Sequence, residues 1–224
     1  MAIKLDLANA FDRLRHDFIF LVLEKFGFPP IFVKQIQACI SSPWIAPLVN
    51  GRPSEFFKPK RGIRHGCPLS PFLYILVADC MSRRLNNQLE EEMIPGLSFK
   101  IGIQPINHAL FVDDSILLAR ASTQIARIFQ KYIDFFLLSS GSKVNLDKCQ
   151  IYGWHSNVNT LRDISQILNM KFNYNWMHFN YLGTPITKKS FSSAMWRPVI
   201  QKIITKILFL GTRWLNIAGK STLI

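Results

Sequence analysis

Asp113 and Asp114 stand side by side in an otherwise apolar stretch, between Ala109-Leu110-Phe111-Val112 and Ile116-Leu117-Leu118-Ala119. Two adjacent carboxylates repel each other and are costly to bury unpaired, so something cationic must compensate them. Mg²⁺ suits such a pair, because it takes one or two carboxylates and leaves its other positions to water and substrate phosphates. A solvated turn that uses Asp twice fits the same spacing. A third carboxylate, Asp6, follows the alternation of Ile3 and Leu5 with Lys4 and falls at the end of that short extended run. Two-metal phosphoryl transfer requires carboxylates from two elements to meet at one point, where the ions stabilise both the attacking and the leaving oxygen. Asp6 and Asp113 on neighbouring antiparallel strands meet that requirement, although spacing by itself does not prove the pairing.

These carboxylates need a frame. The apolar runs around Asp113-Asp114 read as a tight hairpin with both carboxylates at its tip. A second hairpin is expected at Asn50-Gly51, between extended stretches from Trp44 to Val49 and from Ser54 to Phe57. Phe18, Ile19, Val22, Leu23 and Phe26 recur at helical spacing before Gly27 and the Pro29-Pro30 pair, and another helix is expected from Ile31 to Ser42. Good helix formers run from Phe72 to Met93, with Ser70 as the expected cap and Pro71 at the first helical position. In that helix Asp79 and Arg83 are spaced for an ion pair on one face. A helix from Ser122 to Ser139 stops at Gly141, and Cys149 to Tyr152 would join the sheet. Hairpins mixed with long helices predict an α+β fold rather than a doubly wound α/β one.

A chain of 224 residues can build a sizeable core without disulfides or metal. Hydrophobic residues make up 49% of it, including 18 Phe, which excludes a disordered tail. Lys and Arg number 27 against 14 Asp and Glu, and the net charge of +13 points to a polyanionic partner, nucleic acid first and an anionic membrane surface second. Cys39, Cys67, Cys80 and Cys149 form no C-x-x-C pair, so neither a zinc module nor a disulfide framework is indicated, and a reducing compartment fits. No charged-then-apolar leader precedes Lys4 and Asp6. The apolar stretches Pro71 to Met81 and Ile203 to Leu210 are too short to span a membrane, so a soluble, non-secreted protein is expected.

Lys4-Leu5-Asp6-Leu7-Ala8-Asn9-Ala10-Phe11-Asp12 resembles the first palm motif of reverse transcriptases from non-LTR (LINE-type) retrotransposons. Arg61-Gly62-Ile63-Arg64-His65-Gly66-Cys67-Pro68-Leu69-Ser70-Pro71 resembles the second motif and Phe111-Val112-Asp113-Asp114 the third. Ser140-Gly141-Ser142-Lys143-Val144-Asn145-Leu146-Asp147-Lys148-Cys149 resembles the fourth, and Tyr181-Leu182-Gly183-Thr184-Pro185-Ile186 is similar to a tract that follows in plant-type elements. The resemblance implies a right-hand polymerase palm, an antiparallel sheet packed on helices with incomplete fingers and thumb. Residues 1–153 would be the palm with part of the fingers, and residues 154–224 the palm end with the start of the thumb or connection. The implied reaction is RNA-directed DNA synthesis by two-metal nucleotidyl transfer. Asp6, Asp113 and Asp114 would be catalytic, and the same three with Leu7 would hold Mg²⁺, with Mn²⁺ as a substitute. Phe11 would stand under the sugar and exclude a ribose 2′-OH. Arg64, His65, Gly66 and Val112 would complete the nucleotide pocket, and Lys148 would protonate the pyrophosphate. The implied partners are an RNA template, a DNA primer and deoxynucleoside triphosphates, with no protein partner indicated. Nuclear residence is implied, with the cytoplasm as the alternative.

Three positions depart from the family's pattern: His65 stands where Gln is usual, Asn9 where Lys or a similar polar residue is usual, and Val112 where Ala is usual. Val112 is stiffer and bulkier than alanine, and His65 lacks an amide's two-sided pairing. The chain opens almost directly on the first palm strand, without upstream fingers, and stops at Gly219-Lys220-Ser221-Thr222-Leu223-Ile224, which resembles the beginning of a longer region. No endonuclease, RNase H segment or zinc knuckle is visible. Gly219-Lys220-Ser221 is not a phosphate loop, because Trp214 stands at the required earlier glycine. The expectation is a truncated copy that is inactive alone, the alternative being a catalytically dead remnant that binds nucleic acid non-specifically. A partial palm should also leave apolar surface exposed.

Overall fold

The structure is a computed structural model that describes residues 1–98, 102, 104–188 and 193–209. The closing segment Gly219 to Ile224 therefore lies outside the described residues. In chain order the first elements are β1 (Ala2–Ala8), α1 (Ala10–Arg13), α2 (His16–Lys25), α3 (Pro30–Ser41), β2 (Leu48–Val49), β3 (Arg52–Pro53) and α4 (Leu69–Glu90). They are followed by β4 (His108–Phe111), β5 (Asp114–Leu118), α5 (Thr123–Ser140), β6 (Lys143–Val144), β7 (Gln150–Tyr152), α6 (Val158–Leu168) and β8 (Lys171–Asn173). The last are β9 (His178–Tyr181), β10 (Thr184–Thr187) and α7 (Ser193–Phe209). Residues 1–174 form one compact unit and residues 175–224 a second.

In the first unit, β1 is the strand on which the sheet is built. The order is β4-β5-β1-β7-β8, with β6 pairing the far end of β1. Every pairing is antiparallel except that of β7 with β8. The period of two along β1 sends Ile3, Leu5 and Leu7 to one face, where they are buried, and Lys4 and Asp6 to the other. The buried face packs into a core with Leu14, Ile19 and Leu23 before and within α2, Leu73, Val77 and Leu85 of α4, and Phe129 and Ile133 of α5. Burying each of these large side chains contributes about 1.5–3 kcal/mol, which holds β1 in register whatever its polar face carries. The chain is thus α+β with a mainly antiparallel sheet.

The expected helices form within a few residues of their sequence bounds, and α5 stops at Gly141, which takes φ 78°. Asp79 and Arg83 pair on α4 at 2.7 Å. Other details differ. The Asn50-Gly51 hairpin forms with both residues at positive φ, but its strands shrink to two residues each because Pro47 and Pro53 interrupt the ladder, leaving an isolated Ile45–Phe57 bridge. Ser70 is not a cap: α4 begins at Leu69, so Ser70 is a buried helical residue and Pro71 sits third. The N-cap position falls to Pro68, which has no side-chain cap bond, and the Ser70 N–H donates to the Cys67 carbonyl at 3.1 Å. The backbone N–H of Leu69 beside its sulfur, with Ser70 adding, holds the Cys67 thiol below its usual range. The Asp-Asp hairpin closes with a two-residue loop of Val112 and Asp113, so Asp114 leaves the tip and opens β5.

In the second unit β9 and β10 form an antiparallel hairpin across Leu182 and Gly183, both at positive φ. The Tyr181 to Ile186 tract is this turn and its flanks. Helix α7 follows. Among the described residues no helix is long and apolar enough to cross a membrane.

Candidate active site

The shift of Asp114 into β5 has a direct consequence for the carboxylates. Asp6 and Asp114 are register partners across β1 and β5, and directly opposed residues of an antiparallel pair project from the same face. The Leu7 N–H donates to the Asp113 carbonyl at 3.0 Å, which ties the turn to β1. Asp6 and Asp114 therefore stand side by side at one end of the sheet, with Asp113 in the adjoining turn. Asp6 is buried at 6% exposure, and burial raises its pKa above the ordinary 3.8, with the charges of Asp114 and Asp113 adding to the rise. Lys148 and Lys4 oppose it. The Lys148 Nζ lies 3.7 Å from Asp6 Oδ2, and the Lys4 Nζ lies 4.0 Å from Asp114 Oδ1. Behind Asp6, its backbone N–H meets the Cys149 sulfur at 3.3 Å, and its carbonyl accepts the Asn145 N–H at 2.9 Å. The short β6 and the turn after it thus brace the strand end that carries the carboxylate.

A cavity of about 400 Å³ opens over this end of the sheet. Asp6, Leu7, Phe11, His65, Val112, Asp113 and Lys148 line it, together with Asp12 and Asn145. Phe11 is held on both sides. Its ring stacks on Tyr74 at 5.0 Å and 10°, and the His65 ring lies tilted against it at 5.5 Å. His65 Nε2 is 3.0 Å from Asp12 Oδ1, so this imidazole is fixed by a carboxylate of the first motif. The second motif is strapped beneath by Gly62 N–H to the Leu14 carbonyl at 2.7 Å and Ile63 N–H to the Phe11 carbonyl at 2.9 Å. Buried His16 adds a clasp, with Nε2 2.7 Å from the Gly62 carbonyl and Nδ1 3.1 Å from Ser41 Oγ. Gly62 itself has φ 87°, and a Cβ there would stand 2.8 Å from the Asp12 carbonyl oxygen.

Asp114 lies beside this cavity, toward Lys4, and does not line it. Arg64 is exposed and does not reach it, and Gly66 does not line it either. At Gly66 φ is 78° and a Cβ would meet nothing within 4 Å, so its backbone is open to approach from solvent. Asp12, Asn145 and Tyr74 belong to the site without having been singled out in the sequence. Tyr74 alone carried a signal, since a hydroxyl on the apolar face of a helix must find a partner.

The donor set suits a hard cation. Asp6, Asp113 and Asp114 offer carboxylate oxygens, Leu7 offers a carbonyl, and the mutual repulsion of the carboxylates is answered here by two ammonium groups at 3.7–4.0 Å. Among the described residues no group of three or more His, Cys, Asp or Glu is drawn together as a ready-made cage.

Carboxylates from two strands, an aromatic floor and a glycine loop entering a helix are set out as in the four motifs, and a family model for reverse transcriptase (RNA-dependent DNA polymerase) matches residues 1–186. The chain belongs to the reverse transcriptase family. This reverse transcriptase domain is 34% identical over 150 residues to the retrovirus-related Pol polyprotein from type-2 retrotransposable element R2DM of Drosophila melanogaster. The match covers 67% of the chain and 13% of that polyprotein. Over 147 residues it is 27% identical to the Pol polyprotein from type-1 retrotransposable element R2 of Popillia japonica, covering 66% of the chain and 23% of that protein. These relatives identify it as a non-LTR reverse transcriptase, of which the chain spans only a small part. Its fold is shared with telomerase: the Candida albicans enzyme, solved with a TWJ fragment of telomeric RNA, superposes with a TM-score of 0.56 at 14% identity. That superposition covers 83% of the chain and 29% of the telomerase. Apo telomerase from Candida tropicalis gives a TM-score of 0.55 at 15% identity, covering 83% and 33%. Reverse transcriptases use divalent metal ions and bind an RNA template, and the oxygen-rich strand end with its cationic neighbours accords with both.

Proposed function

We propose that this domain extends a DNA primer on an RNA template from deoxynucleoside triphosphates, using Mg²⁺ or, in its place, Mn²⁺. The observation that carries the reading is the convergence of Asp6 and Asp113 on one cavity with Phe11 and Lys148, with Asp114 in register behind Asp6. The Asp6 and Asp113 carboxylates and the Leu7 carbonyl would hold the ions, with Asp114 completing the acidic cluster. When bound, the ions stabilise charge on the attacking and leaving oxygens. Phe11, pinned between Tyr74 and His65, presents a rigid face under the sugar and leaves little room for a 2′-OH. His65, oriented by Asp12, and Val112 bound the base side, while Arg64 and the open Gly66 backbone, both outside the cavity, would meet only those parts of the nucleotide that extend beyond it. Lys148 holds a proton at Nζ on the cavity wall, where a pyrophosphate leaving group would take it. Residues 1–153 act as palm with part of the fingers, and residues 154–224 as palm end and start of the thumb. The nucleus is the expected compartment.

The test is primer extension on RNA with Mg²⁺ or Mn²⁺, by the chain alone and by the chain joined to the fingers segment of a relative. Extension that Asp113→Asn abolishes, and that Phe11→Val opens to ribonucleotides, supports the reading. Salt-sensitive RNA binding by a folded chain with no extension in either form would replace it with a remnant that binds nucleic acid without chemistry.

A further inference from the structure

The turn that carries Asp113 is strained. Val112 is β-branched and adopts φ 49°, a region that such residues rarely enter and keep only where their surroundings over-determine it. Two hydrogen bonds do this from different elements. The Leu7 N–H of β1 holds the Asp113 carbonyl at 3.0 Å, and the Tyr74 hydroxyl of α4 donates to the Val112 carbonyl at 2.8 Å. The first belongs to the sheet. The second reaches across from a helix, and the same Tyr74 ring stacks on Phe11. Tyr74 is 4% exposed, and burial, with the Asp113 charge adding, pushes its hydroxyl far above the usual range, so it remains a donor.

We propose that the Tyr74 hydroxyl is a positioning group for Asp113: by holding the Val112 carbonyl it fixes the Val112–Asp113 peptide and so aims the Asp113 carboxylate into the cavity. This rests on the reading of Asp113 as a cation-holding carboxylate. A peptide whose preceding residue is strained rotates once its carbonyl is released, and the Asp113 carboxylate, carried on the Cα at its end, moves with it. The Leu7 to Asp113 bond remains when the Tyr74 hydroxyl is lost, so the fold survives, and a water that replaced the hydroxyl would not fix a direction. One side chain thus serves two parts of the site. Its ring sets the plane of Phe11, and its hydroxyl sets the acidic turn.

The two roles separate experimentally. Tyr74→Phe keeps the stack and removes only the hydroxyl. In the full chain the Leu7 amide, bonded to the Asp113 carbonyl, should then exchange about three- to tenfold faster by NMR, while the other β1 amides keep their rates. Mn²⁺ affinity, followed by electron paramagnetic resonance, should weaken by a similar factor. Adding Val112→Asn, a residue at ease at positive φ, should restore both. A general structural role for Tyr74 would not respond to the backbone preference of Val112. Unchanged Leu7 exchange in Tyr74→Phe overturns the proposal, as does a loss of protection throughout β1 and β5 that Val112→Asn fails to reverse. Mn²⁺ binding that ignores Asp113→Asn would remove the cation reading instead, and the Leu7 exchange would still decide whether Tyr74 holds the turn.

Discussion

At the scale of residues, Asp6 sits in a position that favours a proton over a bare charge. Its carboxyl pKa is raised above 3.8 by burial first and then by Asp114 and Asp113. The folded state therefore binds the Asp6 proton more tightly than the unfolded chain does. Stability is greatest below the ordinary value and declines as pH rises through the raised one, the cost being complete above it. Asp6→Asn should consequently melt at a higher temperature than the parent at about pH 7, with the gap closing toward about pH 4 in circular dichroism melts. Mn²⁺ should raise the melting temperature of the parent and leave Asp6→Asn unmoved. The three acidic residues were legible in the sequence because unpaired carboxylates in an apolar run demand compensation. The partners that fix the rest were not. The bond from His65 to Asp12 and the one from Tyr74 to Val112 join positions far apart in the chain, and no local pattern encodes them.

At the scale of elements, the loop before α4 is set by how closely its backbone passes that of α1. Gly62→Ala should destabilise by about 2–4 kcal/mol, because a left-handed alanine already costs about 1–2 kcal/mol and its Cβ would also meet the Asp12 carbonyl oxygen at 2.8 Å. Gly66→Ala, equally left-handed but in open space, should lose only about 1–2 kcal/mol. Urea unfolding of the two variants separates strain from collision. Helices α2 to α5 and the central hairpin were visible as periodicity and turn chemistry. The start of α4 was not, because no side chain caps it and a backbone bond from Ser70 to the Cys67 carbonyl sets its first turn. The displacement of Asp114 from the hairpin tip was equally hidden, since a loop of Val112-Asp113 and one of Asp113-Asp114 have the same composition of neighbours. Pairing with β1 chose between them.

At the scale of the whole molecule, the net charge of +13 should make RNA binding fall steeply with salt. Fluorescence anisotropy with a single-stranded RNA should show a loss of at least about tenfold between 50 and 200 mM salt, and a flat response would remove the electrostatic account. Trp44, Leu48, Phe56, Phe72, Phe135 and Leu138 are each at least 60% exposed. Sedimentation of the isolated chain should accordingly show concentration-dependent association, and a monodisperse species would argue that these side chains are tolerated singly. The central place of β1 also bears on how the protein is made. Ala2–Ala8 leaves the ribosome well before its partners β5 and β7, which end at Leu118 and Tyr152. At 5–20 residues per second, the strand waits roughly 8–30 s for its last neighbour. During that interval an apolar segment with both edges open must be shielded by chaperones or by transient contacts with α2 and α3. The carboxylate end of the sheet is accordingly assembled only after the turn carrying Asp113 and the strand behind Asp6 have both emerged.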